Sequence, residues 1–432
     1  MKKNIIVSLL SALALVLVLA VAASAAPSSY TSGFQVQNLS DTDDANVVIT
    51  YYNQNGSVDT TANDTIGAGT STTYYPIDAN AGFNGSVVIS SDQAVAAIVN
   101  ILGDGGAFGG ASYNSFSSGS ANANIPLVLS DFFNINTFFN VQNTGASDVT
   151  VNVDYSAATC TDQSATIAPG AAHTFDQTSD CSANTIGAAT VTSDGEIAVA
   201  VVQYDDKSLL AYNGFTSDGA GTAVAPLVSQ NYFNSRTALQ VQNTGAAAVD
   251  VTVNFTPSPG FPGAACSQTL NIAPAASANF GDSAFFNNTA ACDAGSGWVG
   301  GAEIDAGAGT VVAIVNSVTT GTANGAAYSA FDPSTATNVV NFPLVMDRNF
   351  GIFTGSGLAS ADGSSVDISC TFSNNARVYT ATGTNFTDVH LNQLADGYVG
   401  ASTCTATGPI VGVLSQLGGS GDKLLYYEGF NN

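Results

Sequence analysis

Val149-Thr150-Val151-Asn152-Val153-Asp154-Tyr155 alternates apolar and polar residues at every step, and Val249-Asp250-Val251-Thr252-Val253-Asn254-Phe255 repeats the pattern a hundred residues later. Successive side chains of an extended strand point to opposite faces. A period of two therefore puts Val149, Val151, Val153 and Tyr155 on a core face and Thr150, Asn152 and Asp154 in water. Upstream of each stretch stand Val141-Gln142-Asn143-Thr144-Gly145 and Val241-Gln242-Asn243-Thr244-Gly245. Asn and Gly tolerate the positive φ of a tight hairpin, so a hairpin is expected between the two strands. Downstream, Ala168-Pro169-Gly170 and Ala273-Pro274-Ala275 read as a second turn, residues 197–202 and 311–315 as buried runs, and Asp205-Asp206-Lys207 as a further turn. Many short strands with no amphipathic helix predict an all-β chain of β-sandwiches.

The pattern recurs. An aromatic landmark appears as Tyr113-Asn114-Ser115-Phe116, Tyr212-Asn213-Gly214-Phe215, Tyr328-Ser329-Ala330-Phe331 and Tyr427-Glu428-Gly429-Phe430. Its phenylalanines are 99, 116 and 99 residues apart. Val-Gln-Asn opens three copies, at Val36, Val141 and Val241, and Pro-Leu-Val begins at Pro126, Pro226 and Pro343. A unit of about a hundred residues is the size of one domain. The expected division is a signal segment over 1–25 and four tandem repeats over 26–120, 121–219, 220–337 and 338–432. The fourth is diverged, with Gly357-Leu358-Ala359-Ser360 where Gln-Asn should stand. The first has only residues 26–34 where the others carry Pro-Leu-Val, so it is expected to lack its first strand and to expose a sheet edge.

Residues 35–52, 140–155 and 240–255 resemble the immunoglobulin-like β-sandwich repeats of bacterial secreted and cell-surface proteins. That resemblance implies four tandem immunoglobulin-like sandwiches and an extracellular role as spacer, adhesion unit, lattice subunit or enzyme appendage. It implies nothing finer, because function resides in sites rather than in folds.

The N-terminus fits export. Met1-Lys2-Lys3 is basic, residues 5–22 are almost continuously apolar, and Ala23-Ser24-Ala25 supplies the small-x-small pattern of a cleavage site. The competing reading is a retained anchor just long enough to span a bilayer. The expected mature protein begins at Ala26 and does not insert in a membrane. The whole chain has 432 residues, with 7 Lys+Arg against 32 Asp+Glu and a net charge of −25. Losing Lys2 and Lys3 leaves 5 basic residues and −27. Such a balance lacks the basic footprint that nucleic acid or an anionic membrane surface requires. At 45% hydrophobic residues the chain still has the material for packed cores.

Export turns six cysteines into a disulfide question. They fall two per repeat: Cys160 with Cys181, Cys266 with Cys292, and Cys370 with Cys404. Fifteen pairings exist in principle, and the repeat boundaries select the within-repeat one. No Cys-x-x-Cys or Cys/His spacing suggests zinc. For catalysis the chain offers two His, His173 and His390, in different repeats and without a matching nucleophile context. No nucleophile elbow or phosphate-binding loop is present, so no enzyme is expected. Asp41, Asp43 and Asp44 form an acidic loop that reads either as a calcium site or as solvated turn residues, without the spacing of a defined calcium loop. Aromatic doublets are the stronger contact signal. Tyr51-Tyr52, Tyr74-Tyr75 and Phe132-Phe133 are the expected partner-contact residues, with Phe138-Phe139, Phe285-Phe286 and Tyr426-Tyr427 of the same kind. One member of each strand pair should face outward. The resulting expectation is a structural protein of a surface layer, filament or matrix, with its modules in a row and other copies of itself as partner. The alternative is an adhesion or polysaccharide-binding protein using exposed aromatics, with calcium as its one candidate cofactor.

Overall fold

The computed structural model describes residue 27 and residues 29–104, 109–232, 235–281, 297–319, 324–418 and 424–431. The expected signal segment 1–25, Cys292 and the Phe285-Phe286 pair lie outside the described residues.

The first sequence copy contains β1 (Tyr30–Asn38), β2 (Ala45–Asn53), β3 (Val58–Ile66), β4 (Ser71–Tyr74), β5 (Gly85–Ser91), β6 (Val95–Gly103) and β7 (Gly109–Asn114). They form two antiparallel sheets, β4-β1-β6-β7 and β3-β2-β5. The second contains β8 (Ser120–Ser130), β9 (Asn136–Asn143), β10 (Val149–Tyr155), β11 (Gln163–Ile167), β12 (Ala172–Asp176), β13 (Thr185–Tyr204) and β14 (Leu209–Asn213). Here the seven strands form one sheet, joined through a 20-residue strand, β13. Its first half pairs with β10 and β8, its second half with β9 and β14. The third contains β15 (Thr222–Tyr232), β16 (Ser235–Asn243), β17 (Val249–Pro257), β18 (Cys266–Ile272), β19 (Ser277–Gly281), β20 (Trp298–Asp305), β21 (Val311–Thr319) and β22 (Asn324–Ser329). The fourth contains β23 (Thr337–Asp347), β24 (Ile352–Ser360), β25 (Val366–Phe372), β26 (Val378–Gly383), β27 (Asn385–Val389), β28 (Tyr398–Gly418), β29 (Leu425–Glu428) and β30 (Phe430–Asn431). The described residues add two three-residue 3-10 turns, Pro333–Thr335 and Ser373–Asn375, and a four-residue helix, α1 (Gln177–Asp180), capped by Asp176, whose carboxylate accepts from Thr178 N at 2.9 Å.

The alternating strands do what their period requires. Val151 and Val153 of β10 are fully buried while Thr150, Asn152 and Asp154 are exposed. Each such valine contributes about 2 kcal/mol by leaving water. The Val-Gln-Asn landmark works differently from the expected hairpin. β9 and β10 do not pair with each other but with opposite halves of β13, so no hairpin joins them, and neither Asn143 nor Gly145 has positive φ. Asn143 acts through its side chain instead. Its Nδ2 donates to Ser147 O and Ile167 O, both at 2.8 Å, and its Oδ1 accepts from Gly145 N. Asn38 and Asn243 make the same three kinds of bond. In the fourth copy Ser360 stands there and hands the loop to Asp362, which accepts from Ser360 Oγ and Ser364 N.

Pro-Leu-Val is a bulge. In β8, β15 and β23 the pairing register slips across this triplet, leaving Pro126-Leu127, Pro226-Leu227 and Pro343-Leu344 outside the ladder. A phenol of the aromatic landmark closes each bulge. Tyr212 Oη donates to Leu127 O, Tyr328 Oη to Leu227 O and Tyr427 Oη to Leu344 O, each at 2.7 Å.

The copies do not run in a row. β7 packs on β14, β14 on β22, β22 on β29 and β29 on β7, so the four aromatic strands close a ring around a common centre. There Asn114 and Asn213 exchange hydrogen bonds at 3.0 and 2.8 Å, Asn114 and Glu428 at 2.7 and 3.0 Å, and Ser329 N donates to the Glu428 carboxylate. The bulged first strand of each copy also packs on the next copy: β8 on β16 and β21, β15 on β24 and β28, β23 on β1 and β6. Gln35 Nε2 donates to Pro343 O at 2.8 Å. At Gly357 a Cβ would stand 2.9 Å from Leu227 Cβ, so the approach of β15 requires glycine there. Ile314, Val413 and Ile98 accordingly join the cores of copies two, three and four.

Candidate functional site

Three of the four junctions around the ring are filled in this way, and the fourth is not. Copy one has no strand equivalent to β8, β15 or β23 among the described residues. β5 pairs with β2 on one side, and its other edge carries no strand among the described residues. The junction between copies one and two is instead a cleft of about 1890 Å³. One wall is β5, β6 and the mouth of the copy-one core; the other is the outer face of β9 and β13, including Asn140, Gln142, Ala198 and Ala200. Packing of Tyr52 against Gly170, with a hydrogen bond from Ser86 Oγ to Gly170 O, joins the two walls at one end.

The walls show what is missing. Val87, Ile89, Val95 and Val99 point into the copy-one core yet remain half-buried. Their counterparts by strand register, Ala189, Val191, Ile197 and Val201, are at most 1% exposed. Tyr113 is the fourth phenol of the landmark series. Burial pushes it up to about 12, and its hydroxyl has no hydrogen-bond partner among the described residues, because the bulge carbonyl that the other three bind has no counterpart here. Across the cleft, Gln142 Nε2 is buried and unpartnered. Glu196 and Glu428 are the only charged residues of the lining among the described residues. Burial raises Glu428 above the usual carboxylate range, against the hydrogen bond from Ser329 that lowers it.

The expected site residues are distributed as follows. Cys160–Cys181 and Cys370–Cys404 are disulfides, closing 21 and 34 residues. Cys266 is disulfide-bonded as well. Tyr51 is fully buried and Tyr74 nearly so, stacked on Phe34 at 5.0 Å with its hydroxyl on Asp64, so both serve the core. Tyr75 is exposed, while Phe132 is partly buried on the copy-two core. Asp41, Asp43 and Asp44 line the crossing loop after β1; Asp43 O accepts from Asn38 and Asp44 Oδ1 from Ala68 N. Among the described residues no group of three or more His, Cys, Asp or Glu side chains is placed to hold a metal ion. No helix among them is long and apolar enough to cross a membrane.

His390 meets both a hydroxyl and a carboxylate: its Nδ1 lies 2.6 Å from Thr354 Oγ1 and its Nε2 3.5 Å from Asp388. All three are sealed, at 1%, 0% and 5% exposure, so no substrate reaches them. Asp388 receives both arms of Arg377, at 2.7 and 2.8 Å. Burial alone would raise its carboxyl, but the hydrogen bonds from His390 and Arg377 hold it below the usual range.

Sequence reasoning overlooked the turns that follow the bulges. Phe133-Asn134 and Phe350-Gly351 form two-residue turns with φ of 51° and 64°, and of 50° and 76°. Phe133 is 69% and Phe350 94% exposed. Both follow the proline of Pro-Leu-Val by seven residues, which is the sequence signal. A left-handed φ costs a non-glycine residue about 1–2 kcal/mol, so neither phenylalanine is there for the turn's sake.

No protein-family model matches the chain, and no curated protein is similar to it in sequence.

Proposed function

We propose that the chain is a secreted, non-enzymatic structural protein of a cell surface or extracellular matrix. It is built from four immunoglobulin-like β-sandwich repeats and acts through repeat–repeat and strand-edge contacts. The observation that carries this reading is the uncovered edge of β5 beside a half-buried apolar wall. Open edges recruit strands, and folded proteins normally cover or charge them. The disulfides suit an oxidising compartment. The closed ring makes this a compact building block rather than a spacer. Electron microscopy of the native surface with a specific antibody tests the reading: labelled repeating or matrix material supports it, and label confined to the cell interior overturns it.

A second reading is favoured by Phe133 and Phe350, which project into solvent from matching turns. Exposed rings of this kind stack on sugars. Polysaccharide binding lost in the Phe133→Ala/Phe350→Ala double variant is its test.

A further inference from the structure

We infer that the cleft between copies one and two accepts an extended segment of another polypeptide, which adds to β5 as the missing first strand. The inference rests on the strand-edge reading above and names its partner: an uncharged segment with Ala, Ile and Leu at alternate positions and a Pro-Leu bulge.

The molecule specifies this ligand three times over. At the other junctions the same position holds β8, β15 and β23, each antiparallel to its neighbour, each bulged at Pro-Leu and each wedged on the next copy. In copy two, Ile125, Asn124, Ala123 and Asn122 stand opposite Ala189, Thr190, Val191 and Thr192. By register the corresponding residues of β5 are Val87, Val88, Ile89 and Ser90. An incoming strand in that register places its apolar residues over Val87 and Ile89, completing the core. Its bulge carbonyl meets the Tyr113 hydroxyl, as Leu127 O meets Tyr212. Its other face lies on β9, where Gln142 Nε2 lacks an acceptor. Beside it stands Asn140, whose counterpart in copy one, Gln35, donates to Pro343 O of β23.

Charge narrows the choice. Among the described residues two glutamates and no basic residue line the cleft, and the chain as a whole is strongly acidic. An acidic segment is disfavoured, and a neutral one with basic flanks is favoured. The main-chain ladder supplies affinity and the alternate side-chain pockets supply selectivity, as in strand addition generally.

The test uses the full chain purified from an exporting host and a fluorescein-labelled synthetic peptide of residues 120–130 as probe. Fluorescence anisotropy is expected to show saturable binding, and hydrogen exchange to show new protection at residues 87–90. The Ile125→Asp peptide is expected not to bind. Tyr113→Phe should weaken binding by about three- to tenfold, the worth of one hydrogen bond, while Tyr212→Phe, whose phenol serves a filled junction, should leave it unchanged. No saturation up to about 1 mM, the limit of weak association, overturns the inference, as does equal binding of the Ile125→Asp peptide. Protection, before any peptide is added, of those amides among residues 87–90 that point away from β2 also overturns it, because the edge would then already be covered by the chain itself. Failure here is separable from failure of the surface role, which the microscopy reads independently.

Discussion

Four equivalent tyrosines allow the repeat architecture to be tested by one substitution made four times. Tyr212, Tyr328 and Tyr427 are fully buried, and each donates to a bulge carbonyl at 2.7 Å. In copies three and four the phenol oxygen also accepts, from Leu227 N at 3.2 Å and Leu344 N at 3.1 Å. Tyr→Phe keeps the ring and its packing while stranding the backbone partners. A stranded buried group costs about 1–3 kcal/mol, so Tyr212→Phe belongs near the lower end and Tyr328→Phe and Tyr427→Phe, which strand two groups each, near the upper. Tyr113→Phe should cost less than about 0.5 kcal/mol, the scatter of ordinary neutral substitutions, since no partner is lost. Urea titrations at pH 7, followed by circular dichroism and by the buried Trp298 of copy three, give the shifts at constant m. The reasoning also fixes a pH dependence. Burial raises all three buried phenols above their ordinary 10.0. The unfolded chain therefore ionises first, and the contribution is full below pH 10 and lost as pH rises beyond it. Costs for Tyr113→Phe equal to those of its three counterparts would refute the account, because the first copy would then have the strand partner that we find missing.

Other consequences follow from single contacts. Because burial holds Glu428 above its ordinary 4.5, its stabilising protonated state is fully present below that pH and is lost as pH rises. Glu428→Gln should thus gain stability over the native chain progressively from pH 4 to 7, and a pH-independent difference in denaturant midpoint would argue against it. Phe350→Asn keeps a side chain that accepts φ of 50° and should stabilise by about 1 kcal/mol; a lower melting temperature would show that the exposed ring makes a stabilising contact. Replacing both Cys370 and Cys404 by Ser should cost about 4 kcal/mol and replacing Cys160 and Cys181 about 3, from the lengths of the closed loops, read by calorimetry under non-reducing conditions. Arg377→Met leaves Asp388 buried without its fork and should cost about 3–5 kcal/mol; a shift under 1 kcal/mol by urea titration would mean that His390 suffices as partner.

Strand identity was legible because period two survives in β10 and β17, where one face meets a core and the other water. The run at residues 197–202 was legible as buried but not for its full reason. Val199 and Val201 face their own core, whereas in the corresponding strands Ile98, Ile314 and Val413 cover the first strand of the preceding copy. A continuous apolar run marks a strand covered on both sides, and sequence alone does not say by what. That is why the ring was illegible and modules in a row were expected. Asn143 was misread for a related reason. Asn-Thr-Gly is a turn signal when the flanking strands pair, and here they pair with opposite halves of β13 instead of with each other, so the side chain rather than the backbone does the work. The shortened first copy was visible as a count of residues before Val36; the cleft it leaves required the partner wall of copy two.

The ring also changes what the uncovered edge implies about assembly. If each molecule offered both a free edge and a free strand, copies would join head to tail, as an open heterologous contact does. Among the described residues one first-strand position stands vacant, beside β5, and there is no spare strand to fill it: β8, β15 and β23 are each committed to their own sheet and wedged on the next copy. Withdrawing one to feed a neighbour would uncover a core such as that formed by Ile125, Leu127 and Leu129, at about 1.5–3 kcal/mol for each side chain, and would open a second cleft for the one it filled. Exchange between identical copies therefore gains nothing. Strand addition at β5 becomes favourable when the donor is a different chain whose segment is free to begin with, so the acceptor edge points to attachment of this ring to another protein rather than to a polymer of itself.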